Sequence, residues 1–289
     1  MRLSIVIMLK RQKTLLYLIK ALQDGNKAAT RTFIDKLLFV LKKESGIDDL
    51  VKFYNFYPHK FGPWSSEFYR DLAYNTSNGY LKEADKKFNL TPSGLVIAEN
   101  VNNKEQELIN QLTSAFNPHT IVAYVYNKYP EYTTRSLLKK SEKQIEEPGV
   151  FSIGYEGKDI DLFLDLLIQN NIQTLVDIRA NPFSMNFAFT KSKLARSLES
   201  AQIEYVHMPE LGITREHRKN LETNEDYAQL FNFYSTAILP NQMHKVEELT
   251  ELGKHKRIAL MCFEANKNKC HRGIVSEKIE QFNNTVTHL

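Results

Sequence analysis

The C-terminal half of this chain alternates short apolar runs with helix-period segments, and that alternation restricts it to a sheet of parallel strands. Candidate strands at 151–153, 174–176, 203–206 and 258–261 are separated by helical spacing at 159–170 and 192–202 and by a longer helical insert at 224–254. A terminal helix is expected at 272–282. Parallel neighbours need crossover connections, and such crossovers are right-handed. The expected fold class is therefore α/β, a three-layer C-terminal domain with a mainly parallel sheet.

Four loops follow these strands, and they hold most of the chemically capable residues. They are Gly154-Tyr155-Glu156-Gly157, Asp177-Ile178-Arg179-Ala180-Asn181-Pro182, His207-Met208-Pro209-Glu210-Leu211-Gly212, and the segment from Cys262-Phe263-Glu264 to Cys270-His271-Arg272. Ligands of open α/β sheets bind at the carboxyl ends of the strands. The expectation is one crevice in which Glu156, Asp177, Arg179, Glu264, His271 and Arg272 meet. Glu156, Asp177, Glu264, Cys270 and His271 are the candidate catalytic groups. Gly154, Tyr155, Gly157, Arg179, Asn181, His207, Glu210 and Arg272 are the candidate substrate-binding groups.

Each motif carries its physical reason and its alternative. Gly154 and Gly157 permit a tight turn and close backbone approach by a ligand, or the turn alone. Asp177 and Arg179, two apart at a strand end, point the same way. They form either a neutralising ion pair or a carboxylate and an anion clamp facing the crevice. Pro182 holds Asn181 extended. A helix starting near Cys270 puts His271 and Arg272 in its first turn, where free N–H groups favour anions and a guanidinium fork suits phosphate. The same environment lowers a thiol pKa, so Cys270 is the expected thiolate and Cys262 a packed core residue.

No metal and no cofactor are expected. The Cys-x-x-Cys spacing is absent, and the neighbouring side chains of Cys270 and His271 are expected to diverge, which argues against a site built from Cys262, Cys270 and His271 with His207 or Glu264. The cysteines lie eight positions apart, a spacing that departs from phosphatase-like and rhodanese-like anion loops. The glycine-rich phosphate loops of NTPases and dinucleotide-binding enzymes are missing too.

The run 139–149 is charged and ends in Pro148-Gly149, so it reads as a linker between domains at 1–138 and 150–289. The first of these reads as mostly helical. Helical periodicity covers 11–23 and 30–43, the latter capped by Thr30. The aromatic loop at 57–65 leads into a helix capped by Ser65 or Ser66, with Phe68, Tyr69 and Leu72 as its core residues. Residues 80–90 form a hairpin with a charged tip, and Thr91-Pro92 opens the next helix. Residues 1–138 hold 19 Lys+Arg against 13 Asp+Glu, an excess of +6, whereas 150–289 hold 16 against 18. That basic excess fits either nucleic acid or an ordinary solvated surface, with Lys86 and Lys87 as the candidate nucleic-acid contacts. A short apolar run near the start with no cleavage signal, and two cysteines in 289 residues, lead us to expect a cytoplasmic chain with no membrane partner.

Two resemblances follow from these motifs. From Phe61-Gly62-Pro63-Trp64-Ser65 to Asn78-Gly79-Tyr80-Leu81, the first half resembles winged-helix domains found beside phage-related and toxin-associated modules. The four post-strand motifs, in order over 150–282, resemble the family called domain of unknown function 488, which implies a fold more than a reaction. The leading functional expectation is an enzyme acting on a nucleotide or nucleic acid, with phosphate held by Arg179 and Arg272 and a carboxylate as acid or base. The alternatives are a DNA-binding regulator that senses a small anionic ligand in the crevice, and an interaction scaffold.

Overall fold

The computed structural model describes residues 8–138, 147–218, 221, 223–282 and 284–289. The chain divides into two compact units, Met1–Glu142 and Lys143–Leu289. The expected linker lies outside the described residues except for 147–149. Among the described residues no helix is long and apolar enough to cross a membrane.

In the first unit, helices α1 (Lys10–Asp24) and α2 (Arg31–Glu44) bury leucine-rich faces in one core with Phe53, Tyr54, Phe68 and Ile109. Thr30 caps α2 through Phe33 N, as expected. The segment expected to be an aromatic loop is instead a hairpin of β1 (Tyr57–His59) and β2 (Gly62–Trp64). Pro58 and Pro63 face each other in it, a position where a missing N–H breaks no ladder bond. The buried Lys36 ammonium donates to the Pro63 carbonyl (2.8 Å) and pairs with Asp35 (3.0 Å), anchoring the hairpin. Ser65 caps α3 (Ser66–Ser77), whose Phe68 and Leu72 are buried. Tyr69 is half-buried and stacks on Trp64 at 3.8 Å.

A second hairpin follows, β3 (Leu81–Ala84) and β4 (Lys87–Leu90). Its tip residues Asp85 and Lys86 both take positive φ, +50° and +61°, as a two-residue turn matched to strand twist requires. Thr91 then caps α4 (Pro92–Ala98), and α5 (Asn103–Ala115) and α6 (Thr120–Lys128) complete the unit.

The second unit is the α/β domain. Its elements are β5 (Gly149–Gly154), α7 (Ile160–Gln169), β6 (Thr174–Asp177), α8 (Lys191–Ser200), β7 (Glu204–His207), α9 (Asn224–Phe233), α10 (Met243–His255), β8 (Arg257–Cys262), α11 (His271–Glu280) and β9 (Val286–His288). The five strands are all parallel, in the order β7-β6-β8-β5-β9. The connections β5 to β6 and β6 to β7 run one way across the sheet, and those to β8 and β9 run back. Right-handed crossovers therefore place α7 and α8 on one face and α10 and α11 on the other. Accordingly Val150, Val176, Ile258, Leu260 and Val286 pack with Val246 and Leu249 of α10 and Val275 and Ile279 of α11. The intervening Phe151, Ile153, Leu175, Ala259 and Met261 are equally buried and point to the opposite face. The central strand β8 sends its chain to one face while both neighbours send theirs to the other, which opens a crevice around its carboxyl end.

Candidate active site at the carboxyl end of the central strand

Beyond β8, the loop stays zipped to the loop after β5. Tyr155 N donates to Cys262 O (3.3 Å) and Glu156 N to Phe263 O (2.8 Å). The close approach explains Gly154, since a Cβ there would lie 1.9 Å from the Glu264 carbonyl oxygen. Gly154 thus makes room for the protein's own backbone rather than for a ligand. Gly157 has φ +75° and open space around it, which is the turn requirement. Glu156 is exposed and accepts from Ala265 N (2.9 Å), while Arg272 Nη2 donates to Ala265 O (3.2 Å). Glu156 and Arg272 therefore meet on the two sides of one residue, at the same end of the sheet.

The most concentrated chemistry lies at Cys262, Cys270 and His271, which are 1%, 2% and 1% exposed. The His271 ring donates from Nε2 to the Ile178 carbonyl (3.2 Å), which turns Nδ1 toward the two sulfurs at 3.6 Å and 3.9 Å. Tyr234 packs edge-on against this ring, and its hydroxyl donates to Leu211 O (2.6 Å). Tyr234 opens a π-helical turn, 234–238, that sequence periodicity did not announce.

The expected assignment of the two thiols is reversed here. The Cys262 thiol is held well below the ordinary value by a hydrogen bond from Cys270 and by the His271 charge. Burial, then the Cys262 thiolate, pushes Cys270 up. At the N-cap of α11, Cys270 is itself buried against the Cys262 sulfur and the His271 ring. Burial opposes the imidazolium of His271, but the Cys262 charge raises its pKa. Glu264 Oε2 lies 3.3 Å from Cys262 Sγ, and burial followed by that thiolate raises the carboxyl. Arg218, absent from the sequence-based candidates, reaches both Glu264 Oε1 (3.7 Å) and His271 Nδ1 (3.4 Å).

Arg272 is 1% exposed, and its Nε and Nη1 have no hydrogen-bond partner among the described residues. More cations stand nearby. Lys158 donates to Gly154 O (2.9 Å), and its ammonium is pushed down by burial and then by Arg272. Lys267 donates to His288 Nε2 (2.7 Å), so the proton of His288 sits on Nδ1, 2.7 Å from Ser152 Oγ. Lys158, Lys267, Ser152 and His288 were not legible as site residues. Their convergence depends on β9 pairing beside β5, with His288 opposite Ser152.

Asp177 and Arg179 resolve as the ion pair. Arg179 grips the fully buried Asp177 through Nε (2.8 Å) and Nη2 (2.6 Å), and Tyr205 donates to the same carboxylate (2.8 Å). The remaining reach of Arg179 goes to Tyr155 Oη (3.1 Å) and Phe189 O (3.0 Å). Asp177 follows Val176 in β6 and so points to the face of α7 and α8. The pair therefore stands apart from the Cys262 face, with its donors and acceptors engaged within the protein. Tyr155 stacks on Phe189 (4.3 Å) as part of the same assembly. His207 donates from Nε2 to Arg179 O (2.9 Å) and accepts from Lys191 (3.1 Å), bracing the loop. Asn181 accepts from Phe183 N (3.2 Å) at the rim of a shallow cavity that also includes Lys191 and Tyr205. Glu210 is exposed, and its charge acts on Lys245 of α10. The loops beyond β5 and β8 thus bring Cys262, Cys270, His271 and Glu264 together and join Glu156 and Arg272 through Ala265, while Asp177, Arg179 and His207 are engaged with other parts of the protein and Glu210 is exposed.

No curated protein and no solved structure matches the chain. Residues 159–279 match the family model described as Domain of unknown function DUF488. The matched stretch opens at Asp159, the N-cap of α7, and closes within α11. It spans Cys262, Glu264, Cys270, His271 and Arg272 but begins after the Gly154-Tyr155-Glu156-Gly157 loop, so the similarity lies within the second unit.

Proposed function

We propose that the second unit is an enzyme acting on a phosphate-bearing substrate, a nucleotide or a nucleic acid, anchored by Arg272. The observation that carries this reading is the buried guanidinium of Arg272 with Nε and Nη1 unpartnered. An uncompensated buried cation costs several kcal/mol, and phosphate oxygens are suited acceptors for its free N–H groups. Lys158 and Lys267 add charge at the same strand ends. Glu264, its carboxyl raised by burial and by the neighbouring sulfur, is suited to act as the acid or base. Arg179, engaged with Asp177, takes a scaffolding role in this account.

For the first unit we propose a winged-helix module that contacts nucleic acid. Its support is the order of three helices and a hairpin, with Lys86 and Lys87 exposed at the hairpin tip. A panel of nucleoside mono-, di- and triphosphates and single-stranded oligonucleotides, incubated with the full chain and with an Arg272→Lys variant, tests the enzymatic reading. Turnover of one class that falls at least about tenfold in the variant supports it, since lysine cannot reproduce the planar array of guanidinium donors. Absence of turnover across the panel, with ligand-dependent DNA affinity instead, would favour a sensor.

A further inference from the structure

We propose that Cys262, Cys270 and Nδ1 of His271 form a three-ligand site for a zinc-type transition metal, with Glu264 beside its fourth position. The three donor atoms lie within 4.8 Å of one another, and all three residues are buried. With Zn–S of about 2.3 Å and Zn–N of about 2.0–2.1 Å, a tetrahedral site has an S···N edge of about 3.6 Å. The two sulfurs stand 3.6 Å and 3.9 Å from Nδ1, so an ion fits with small adjustments.

The environment of the imidazole points the same way. A metal-bound histidine commonly donates its other N–H to a backbone carbonyl, which fixes the tautomer and aims the lone pair. His271 makes that contact through Nε2 to Ile178 O at 3.2 Å. A lone nucleophilic thiol paired with histidine would need an exposed sulfur and has no use for a second thiol aimed at the same point. Here Cys262 is 1% exposed and Cys270 converges on it.

Sequence spacing argued against a metal because neighbouring side chains were expected to diverge. The backbone removes that objection. Cys270 is extended (φ −143°, ψ 140°) as the N-cap, and His271 is the first helical residue. This change of conformation lets both side chains turn toward the end of β8. The intervening loop is held by a short turn at Lys267–Lys269, in which Asn266 accepts from Asn268 N (2.9 Å).

The fourth position opens toward Glu264 and Arg218, whose side chains are 20% and 37% exposed. Three protein ligands and an open position describe a catalytic rather than a purely structural zinc site. With a metal bound, Glu264 would lie beside that position, placed to accept a proton from a group held there. Arg218, which lies 3.4 Å from Nδ1, would withdraw from the ion and remain on Glu264. The site involves none of the donors of Arg272, so it stands or falls independently of the phosphate anchor.

The full chain, stripped with a chelator under reducing conditions, is titrated with Zn2+ alone against a chromophoric competitor, and in parallel with Co2+. Roughly one equivalent of Zn2+ is expected, together with thiolate-to-cobalt charge-transfer absorption and intense tetrahedral visible bands. Cys262→Ser and Cys270→Ser should each weaken binding beyond the roughly 10- to 100-fold that loss of an outer partner causes, with far-ultraviolet circular dichroism confirming that they fold. The cobalt spectrum of the unsubstituted chain decides the matter even if a variant does not fold. No metal uptake, a cobalt complex without sulfur charge transfer, or undiminished affinity in either folded serine variant would overturn the proposal.

Discussion

Replacing Asp177 or Arg179 separates the two roles that sequence reasoning left open for them. Arg179 holds Asp177 through two side-chain hydrogen bonds of 2.8 Å and 2.6 Å and one from its backbone N at 3.1 Å. The two side chains are 7% and 0% exposed. Removal of one partner leaves the other as an uncompensated buried charge, which costs about 3–5 kcal/mol. Asp177→Ala strands a guanidinium with only Tyr155 and Phe189 O, and Arg179→Ala leaves a carboxylate with Tyr205 and a backbone N–H. Each variant should therefore lower the Tm of the second unit by about 6–20 °C, at roughly 2–4 °C per kcal/mol. The double alanine variant should cost little more than either single one, a coupling of about 3 kcal/mol or more, at or above the top of the usual range. Thermal and urea unfolding by circular dichroism measures this. The sole tryptophan, Trp64, lies in the first unit, so its fluorescence identifies that unit's transition. Single losses below about 1 kcal/mol, or a double loss equal to their sum, would refute the reasoning and return Arg179 to the candidate ligand-binding groups.

The two glycines of the loop after β5 should respond in opposite order to their apparent importance as turn residues. Gly154→Ala meets a backbone oxygen at 1.9 Å and should cost about 3 kcal/mol or more. Gly157→Ala meets nothing within 4 Å and carries only the positive-φ strain of about 1–2 kcal/mol; equal losses in denaturant titration would contradict the close packing of the 264 carbonyl. His288 has its pKa lowered from 6.5 by burial, then by Lys267 and Arg272, so the unfolded chain binds more protons just below that value. The stability contributed by neutral His288 is full above pH 6.5 and lost as pH falls below it, and His288→Gln should flatten that limb of the ligand-free stability–pH curve. In the first unit, Lys86→Glu with Lys87→Glu should weaken duplex binding alike on all sequences and reduce the salt slope by roughly one per lost phosphate contact. Filter binding that detects no affinity at low salt would remove the nucleic-acid reading of that hairpin.

The larger features were legible because they rest on periodicity and local chemistry. Strands β5 to β8 carry apolar runs bounded by Gly, Pro or charged loops, and Thr30, Ser65 and Thr91 are caps that the following sequence demanded. Strand β9 was missed because three residues cannot establish an alternating pattern, and it brought His288 against Ser152 and Lys267. The hairpin of β1 and β2 was hidden by Pro58 and Pro63, which ordinarily argue against strands. Pairing of Asp177 with Arg179 was a stated alternative, but only the third dimension supplies Tyr155, Tyr205 and Phe189 O to complete it. The N-cap position of Cys270 was legible, but its burial against Cys262 and His271 was not. Lys158 and Arg218 gave no signal, being ordinary cations in charged stretches.

The central claim is that the unpartnered N–H groups of Arg272 receive a phosphate. The most direct measurement is mass spectrometry of the small molecules released when the full chain, purified at low salt, is denatured. A phosphate-bearing compound present at a substantial fraction of one per chain, and lost in a folded Arg272→Gln variant, is the predicted result. Its absence from the unsubstituted chain, or its equal retention by the variant, would contradict the account.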